Sequence, residues 1–211
     1  MGLAAIAICD HNSTRNVAAV QQAARSEGIL VIAGIEVTSE EEVHVLGLFD
    51  DGDGLQRMQR LIDDNLSGEN NPGLFGEQEV CNERDDVIGR EMKLLIGATR
   101  LTVEAVVGSI REFGGLAIAS HVDRESFSLL GQLGLVPEGL PLDALELSSR
   151  RSAEQAGERF PGIGGFPLVR GSDAHRLAEI GAAATALTAA RPSVSELRKA
   201  LAGEGGRRVA I

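Results

Sequence analysis

The chain of 211 residues contains no tryptophan and no tyrosine, and aromatic residues make up only 3% of it. Its core cannot be organised around large rings. The 43% of apolar residues must fill it with Ala, Val, Ile and Leu. Lysine is nearly absent as well, with Lys93 and Lys199 the only two. The two cysteines, Cys9 and Cys81, stand far apart, which suggests neither a zinc knuckle nor a disulfide framework. Cys9, inside an apolar run, reads as a small buried thiol. No apolar run is long enough to span a bilayer. The first residues lack a basic n-region and a cleavage site, so a cytoplasmic location and no membrane partner are expected. The net charge of −11 argues against long nucleic acid and anionic membranes as partners. It leaves room for a small anionic substrate, because bound metal ions reverse the sign locally.

What is present is alternation. Strand candidates are Ala4–Cys9, Ile29–Val37, Val43–Phe49, Leu94–Ala98, Gly115–Ser120, Leu142–Leu147 and Pro167–Gly171. Helix candidates are Val17–Glu27, Leu55–Leu66, Val103–Phe113, Ala153–Phe160, Arg176–Thr185 and Val194–Ala202. Thr102 precedes one helix and Gly114–Gly115 end it, while Ser193 with Glu196 spells a capping box. Such alternation predicts one α/β domain over residues 1–211, a mostly parallel sheet covered by helices. The interval 70–97 breaks the pattern and reads as an inserted hairpin or lid. The tail "GEGGRRVAI" reads as a final short strand.

The four histidines are not scattered. His11, His121 and His175 each end an apolar run ("AIAICDH", "GGLAIASH", "LVRGSDAH"), and His44 lies early in "EVHVLGLF". If about one residue in eight is near a strand end, three of four by chance is on the order of one in a hundred. Strand carboxyl ends are where α/β folds build sites. Glu36 closes "ILVIAGIE". Asp173 and His175 are two apart and face one way if extended. Asp10 and His11 are adjacent and cannot both face the mouth, so His11 is the candidate ligand and Asp10 a supporting or turn-stabilising group. Imidazoles mixed with carboxylates suit Zn²⁺, Mn²⁺ or Fe better than Ca²⁺ or Mg²⁺. A carboxylate such as Glu36 can bridge two ions, and ions about 3.5–4 Å apart serve phosphate-ester hydrolysis.

"AIAICDHNS", "GIEVTSEEEVHVLGLF", "GGLAIASHVDR", "LDALELSS" and "VRGSDAH", in this order, resemble successive motifs of the polymerase-and-histidinol-phosphatase (PHP) superfamily, in its small phosphoesterase branch. The resemblance runs from Gly2 to about Gly181. It implies a distorted seven-stranded β/α barrel, (β/α)7 and TIM-like, with up to three divalent metal ions at the strand carboxyl ends. It implies that Glu36 bridges two ions and that Asp173 binds the first. His44 and His121 would bind the second, and His11 and His175 the third.

PHP members begin with a strand carrying His-x-His, and no such motif precedes "AIAICDH". The expectation is therefore a barrel lacking its first strand, about 30–40 residues short of the usual barrel of ~250. Exposed strand edges would then favour self-association, and the second metal, with three protein ligands, would be the best-kept site. The implied activity is metal-dependent hydrolysis of a small phosphomonoester or nucleotide phosphate, impaired in this chain. Asp173 or Asp10 would take the proton. Arg15, Arg124 and Arg176, each close behind a histidine, are candidates for holding substrate phosphate. A non-catalytic scaffold and an amidohydrolase-type metal hydrolase are the alternatives. The second is weakened because neither lysine falls where an activating residue is needed.

Overall fold

The computed structural model describes residues 2–50, 52–148 and 151–211; Ser149, the last residue of "LDALELSS", lies outside the described residues. In chain order the elements are β1 (Ala5–Ile8), α1 (Val17–Ala23), β2 (Leu30–Thr38), β3 (His44–Phe49), α2 (Gly52–Asn65) and α3 (Pro72–Phe75). Then come β4 (Glu79–Cys81), β5 (Val87–Arg90), α4 (Val103–Glu112), β6 (Leu116–Ala119), α5 (Leu129–Leu133) and β7 (Ala144–Leu147). The chain finishes with α6 (Ala153–Arg159), β8 (Leu168–Arg170), β9 (Ala186–Thr188), α7 (Val194–Leu201) and β10 (Arg208–Ala210).

Six strands form one sheet in the order β1-β2-β3-β6-β7-β8. The β1–β2, β6–β7 and β7–β8 pairs are parallel, and β3 is antiparallel to both its neighbours. The sheet is curled. His11 follows β1 and His175 follows β8, at opposite edges, yet their rings lie 6.1 Å apart. In a flat sheet five strand spacings would separate those loops by about 24 Å. The architecture is thus a mixed α/β half-barrel of six strands, an open version of the expected seven-stranded barrel.

Strict alternation fills the two faces. Val45 and Phe49 of β3, Ala117 and Ala119 of β6, and Leu145 and Leu147 of β7 join a large cluster with α2, α4, α5 and α6 on the convex side. Leu46 and Leu48, Leu116 and Ile118, Ala144 and Val169 point the other way and pack with Val194, Leu197 and Leu201 of α7. Burial on both faces is why these strands read as unbroken apolar runs. The concave set is apolar at the α7 end only. By the same parity Glu36, Glu146 and His44 occupy that face near the opposite end, where β2 and β7 finish and β3 starts.

Three sequence expectations need correction. Leu94–Ala98 is a turn and not a strand: Gly97 N–H donates to Leu94 O, and the Asn12 side chain takes the carbonyls of Leu95 and Gly97 that a ladder would use. Arg176–Thr185 is not a helix but a single 3₁₀ turn, Leu177–Glu179, followed by Gly181 at φ +77°. The Ser193 capping box is half made. Ser193 Oγ accepts from Glu196 N–H at 3.1 Å, but the Glu196 carboxylate turns to Arg207 Nε (2.6 Å), Lys199 Nζ (3.0 Å) and Ala190 N–H (3.0 Å). A cation competes better for a carboxylate than the N-cap amide does. Thr102 caps α4 as expected, through Ala105 N–H, and Gly114 follows at φ +85°. The interval 70–97 holds α3 and the β4–β5 hairpin, and the tail strand β10 pairs antiparallel with β9. Among the described residues no helix is long and apolar enough to cross a membrane.

Candidate metal centre

Glu36 stands at the middle of the concave mouth, 4% exposed. Backbone pairing sets its height: its N–H donates to Asp10 O and its carbonyl accepts from Asn12 N–H, so the β1 loop is bound to the end of β2. That bridge puts His11 opposite Glu36. His11 Nδ1 lies 3.1 Å from Glu36 Oε2, His44 Nδ1 3.5 Å from Oε1, and His121 Nε2 3.6 Å from Oε1. The His11 and His44 rings are 5.0 Å apart and those of His44 and His121 5.3 Å. Phe127 stacks on His44 at 4.9 Å and its carbonyl accepts from His44 N–H, which fixes the ring. His121 is held in the left-handed region at φ +30°, and its N–H donates to Glu146 Oε2 at 3.2 Å.

The electrostatics follow from burial and proximity. Burial pushes the Glu36 carboxyl up, but the imidazoles of His121, His44 and His11 beside it outweigh that and hold it well below the usual carboxylate range. Burial moves His11 the other way, lowering its pKa; Glu36 opposes, while His44 and His175 add to the fall. At neutral pH the cluster is therefore an anionic carboxylate among imidazoles of which at least His11 is neutral. Glu146, missed from the sequence, is pushed up to about 7 by burial and then by Glu36 and Asp173, against the His121 amide. Its signal was visible: it is the one charged residue inside the apolar run "ALEL". Asn12, also missed, is fully buried and ties three segments together through its side chain.

The remaining predicted residues lie around the same cavity, of about 450 Å³, which Asp10, Asp173 and His175 line together with His11 and Glu36. Asp173 is at φ +47° and its Oδ2 meets Arg124 Nη2 at 2.7 Å. His175 is two-thirds exposed, with Nδ1 3.0 Å from Asp173 O. Asp10 faces Asn16, whose amide lies 3.5 Å from its Oδ2; burial raises its pKa. Arg15 turns away from the mouth to Asp63 and to Glu91 beyond β5. Arg176 is exposed on the 3₁₀ turn. Thus Arg124 borders the centre, and Arg15 and Arg176 do not form a ring with it.

A divalent cation fits this donor set. His11, Glu36 and His44 each offer one ligand atom, all within 4.8 Å of one another. The Nδ1 atoms of His11, His44 and His121 are buried without a hydrogen-bond partner of acceptable geometry, close to Glu36 though two of them are. Buried polar atoms are rarely left so. An anionic carboxylate and neutral imidazole are the protonation states that a cation requires.

A family model described as PHP-associated matches residues 157–203, the span that carries Asp173 and His175. The fold of the chain is shared by the lesion-specific endonuclease Q of Pyrococcus furiosus, at 19% identity and TM-score 0.58, over 86% of this chain and 41% of that one. Endonuclease Q in complex with a 27-mer duplex substrate, with an abasic lesion at the active site, matches at 19% identity, TM-score 0.56 and the same two coverages. A Bifidobacterium adolescentis protein assigned as a metal-dependent phosphoesterase matches at 20% identity, TM-score 0.54, over 87% of this chain and 82% of that one. The chain thus spans 41% of the length of the endonuclease chains. No curated protein matches it.

The endonuclease overturns the expectation of no long nucleic acid. The same fold carries an enzyme with a DNA duplex substrate, so fold and acidity together do not exclude such a partner. Net charge is a sum over the whole surface, whereas a phosphate backbone meets only the local field at one mouth.

Proposed function

We propose that this chain is a PHP-type metal-dependent phosphoesterase, with Glu36, His44, His121 and His11 around one cation and Asp173 and His175 facing it across the mouth. The observation that carries the reading is the convergence of three imidazoles from three different strand ends on one buried, anionic carboxylate. The donor types favour Zn²⁺, Mn²⁺ or Fe. Such an ion would supply an activated water at neutral pH and a counter-charge for the phosphoryl oxygens.

The chain's own residues do the rest. Glu36 stays anionic and fixes the imidazoles. Phe127 and the Phe127 carbonyl keep His44 from turning away. Asp173 is the better placed of the two candidate proton acceptors, because it borders the cavity between His175 and Arg124 whereas Asp10 is turned to Asn16. Arg124 can leave Asp173 for a phosphoryl oxygen, exchanging one charge-assisted hydrogen bond for another. The amidohydrolase alternative gains nothing: Lys93 donates to Asp63 O and Lys199 to Glu196, both away from the mouth.

Release of nitrophenol from p-nitrophenyl phosphate tests the reading. We expect turnover that rises with added Mn²⁺, vanishes on metal removal, and falls about 10–100-fold in His44→Ala and His121→Ala through lost metal affinity. Turnover indifferent to metal removal and to both substitutions refutes it. Nicking of an abasic 27-mer duplex, run beside it, decides whether the ester is a small monoester or a nucleic-acid diester.

A further inference from the structure

Two buried carboxylates share the concave face near the mouth, Glu36 and Glu146, 4% and 8% exposed. The metal reading uses only the first. The second comes from β7, the strand between β6, which leads to His121, and β8, which leads to Asp173 and His175.

Glu146 holds the His121 turn at two points. Its carbonyl accepts from Val122 N–H at 2.9 Å, and its Oε2 accepts from His121 N–H at 3.2 Å. His121 sits at φ +30°, a left-handed conformation that persists in a residue other than glycine only where the surroundings over-determine it. The residue is 3% exposed, so water is a poor substitute for a lost acceptor. On its other side the carboxylate presses on the β8 loop. A Cβ on Gly171 would lie 2.5 Å from Glu146 Oε1 and 3.7 Å from its Cδ. Glycine at this position gives the carboxylate room, and the carboxylate cannot swing aside without giving up the His121 N–H. Asp173, two residues on, pairs with Arg124 Nη2 at 2.7 Å, and Arg124 N–H donates back to His121 O at 2.9 Å. These contacts close a ring, from His121 to Glu146, Gly171, Asp173, Arg124 and back, in which Glu146 is the member contributed by the strand between.

We infer that Glu146 is a positioning residue: its carboxylate wedges between the loops after β6 and β8 and sets the His121 imidazole, and with it the separation from Asp173, for the cation. It acts through His121 and not as a ligand. The inference rests on the metal centre of the phosphoesterase reading and not on the ester that is cut. Outer partners that orient ligating imidazoles typically carry about 10–100-fold of metal affinity.

The test is calorimetric titration of the full chain with Mn²⁺ alone, with a urea midpoint for every variant. We expect Glu146→Ala to weaken Mn²⁺ binding about tenfold, and Glu146→Gln, which keeps an oxygen to accept from His121 N–H, to recover most of the affinity. Gly171→Ala removes no hydrogen-bonding group, yet should weaken binding by a similar factor by displacing the carboxylate. In the Glu146→Ala background the added methyl has room, so Gly171→Ala should then have no further effect. Strictly additive losses overturn the wedge. So does parental Mn²⁺ affinity in folded variants whose urea midpoint alone has fallen, because that is a scaffold role only. A Gln variant as weak as the Ala variant overturns it as well, because the cation would then be feeling the charge and not the hydrogen bond. Should Glu146→Ala fail to fold, Gly171→Ala decides: parental affinity in that variant overturns the inference. A parent chain that takes up no Mn²⁺ overturns the inference and the metal reading together. Hydrolysis of p-nitrophenyl phosphate by the same preparations separates the remaining cases. Glu146-dependent binding without hydrolysis removes the phosphoesterase reading alone, and Mn²⁺-stimulated hydrolysis with binding indifferent to Glu146 and Gly171 removes this inference alone.

Discussion

Asn12 is where a single substitution should do most harm to the scaffold of the mouth. It is fully buried, at φ +50°, a left-handed conformation that Asn tolerates better than Ala. Its Nδ2 donates to Leu95 O and Gly97 O at 2.8 Å each, and its Oδ1 accepts from Thr38 N–H at 3.2 Å. One side chain thus clamps the β1 loop to the end of β2 and to the turn after β5. Asn12→Ala removes three hydrogen bonds of about 1 kcal/mol net each, and leaves buried backbone groups short of partners at about 1–3 kcal/mol apiece. Forcing Ala into the left-handed region adds about 1 kcal/mol. Since the terms overlap, the expected loss is about 3–5 kcal/mol, a large share of the ~5–15 kcal/mol typical of a folded domain. With a urea slope of about 3 kcal/mol per molar, the midpoint should fall by about 1–1.7 M. Asn12→Gly should recover about 1 kcal/mol of this by relieving the backbone while still lacking the side chain. A midpoint within about 0.3 M of the parent for Asn12→Ala, or full stability for Asn12→Gly, would refute the clamp.

Two further substitutions probe the ends of the sheet. Gly34→Ala would set a methyl 2.5 Å from Cys9 Sγ and 2.9 Å from Ile8 O, so the edge strand β1 must yield and carry the His11 loop outward. The expected loss is about 1–3 kcal/mol of overpacking, with faster amide exchange in β1; adding Cys9→Ala should return part of it, and strict additivity would show that the crowding is not with Cys9. At the other end Glu196 is held at about 2 by Arg207, then by the Ala190 amide and Lys199. A folded-state value below the unfolded one means that its ionised form stabilises above about pH 4.5, and that this is lost as pH falls toward 2. The Tm gap between the parent and Glu196→Gln should therefore be full at pH 6, shrink below about pH 4.5 and be largely gone only at about pH 2; a gap that widens on acidification contradicts the network.

Much of the half-barrel was legible because β2, β3, β6 and β7 bury both faces, which leaves long apolar runs that survive without any alignment. What escaped depends on partners far away in sequence. β9 is three residues that become a strand only against β10, some twenty residues on. Helix α5 has five residues, too few to stand out by periodicity, and exists because Ser128 Oγ caps Gly131 N–H while Gly134 ends it at φ +76°. The turn at 94–97 hid behind apolar letters, because the Asn12 side chain replaces the ladder partners that such letters lead one to expect. The site divides the same way. Histidines placed against apolar runs could be picked out, while Arg15 could not be seen to be drawn off by Asp63 and Glu91, residues from two other segments.

His44 shows how strand direction is written in the order of residues. In a parallel strand the mouth lies past the carboxyl end, so a mouth residue follows its apolar run, as His11 follows β1 and His121 follows β6. In a strand running the other way the mouth lies before the amino end, so the mouth residue must come first. His44 precedes "VLGLF", and β3 is the one strand of the six that is antiparallel to both neighbours. The register agrees: His44 pairs with Thr38, two residues beyond Glu36, and Ser120 N–H donates to His44 O just before His121. The position that looked least like the other three therefore carries the most topological information. Given that all four histidines share one mouth, its place ahead of the run implies the reversed strand.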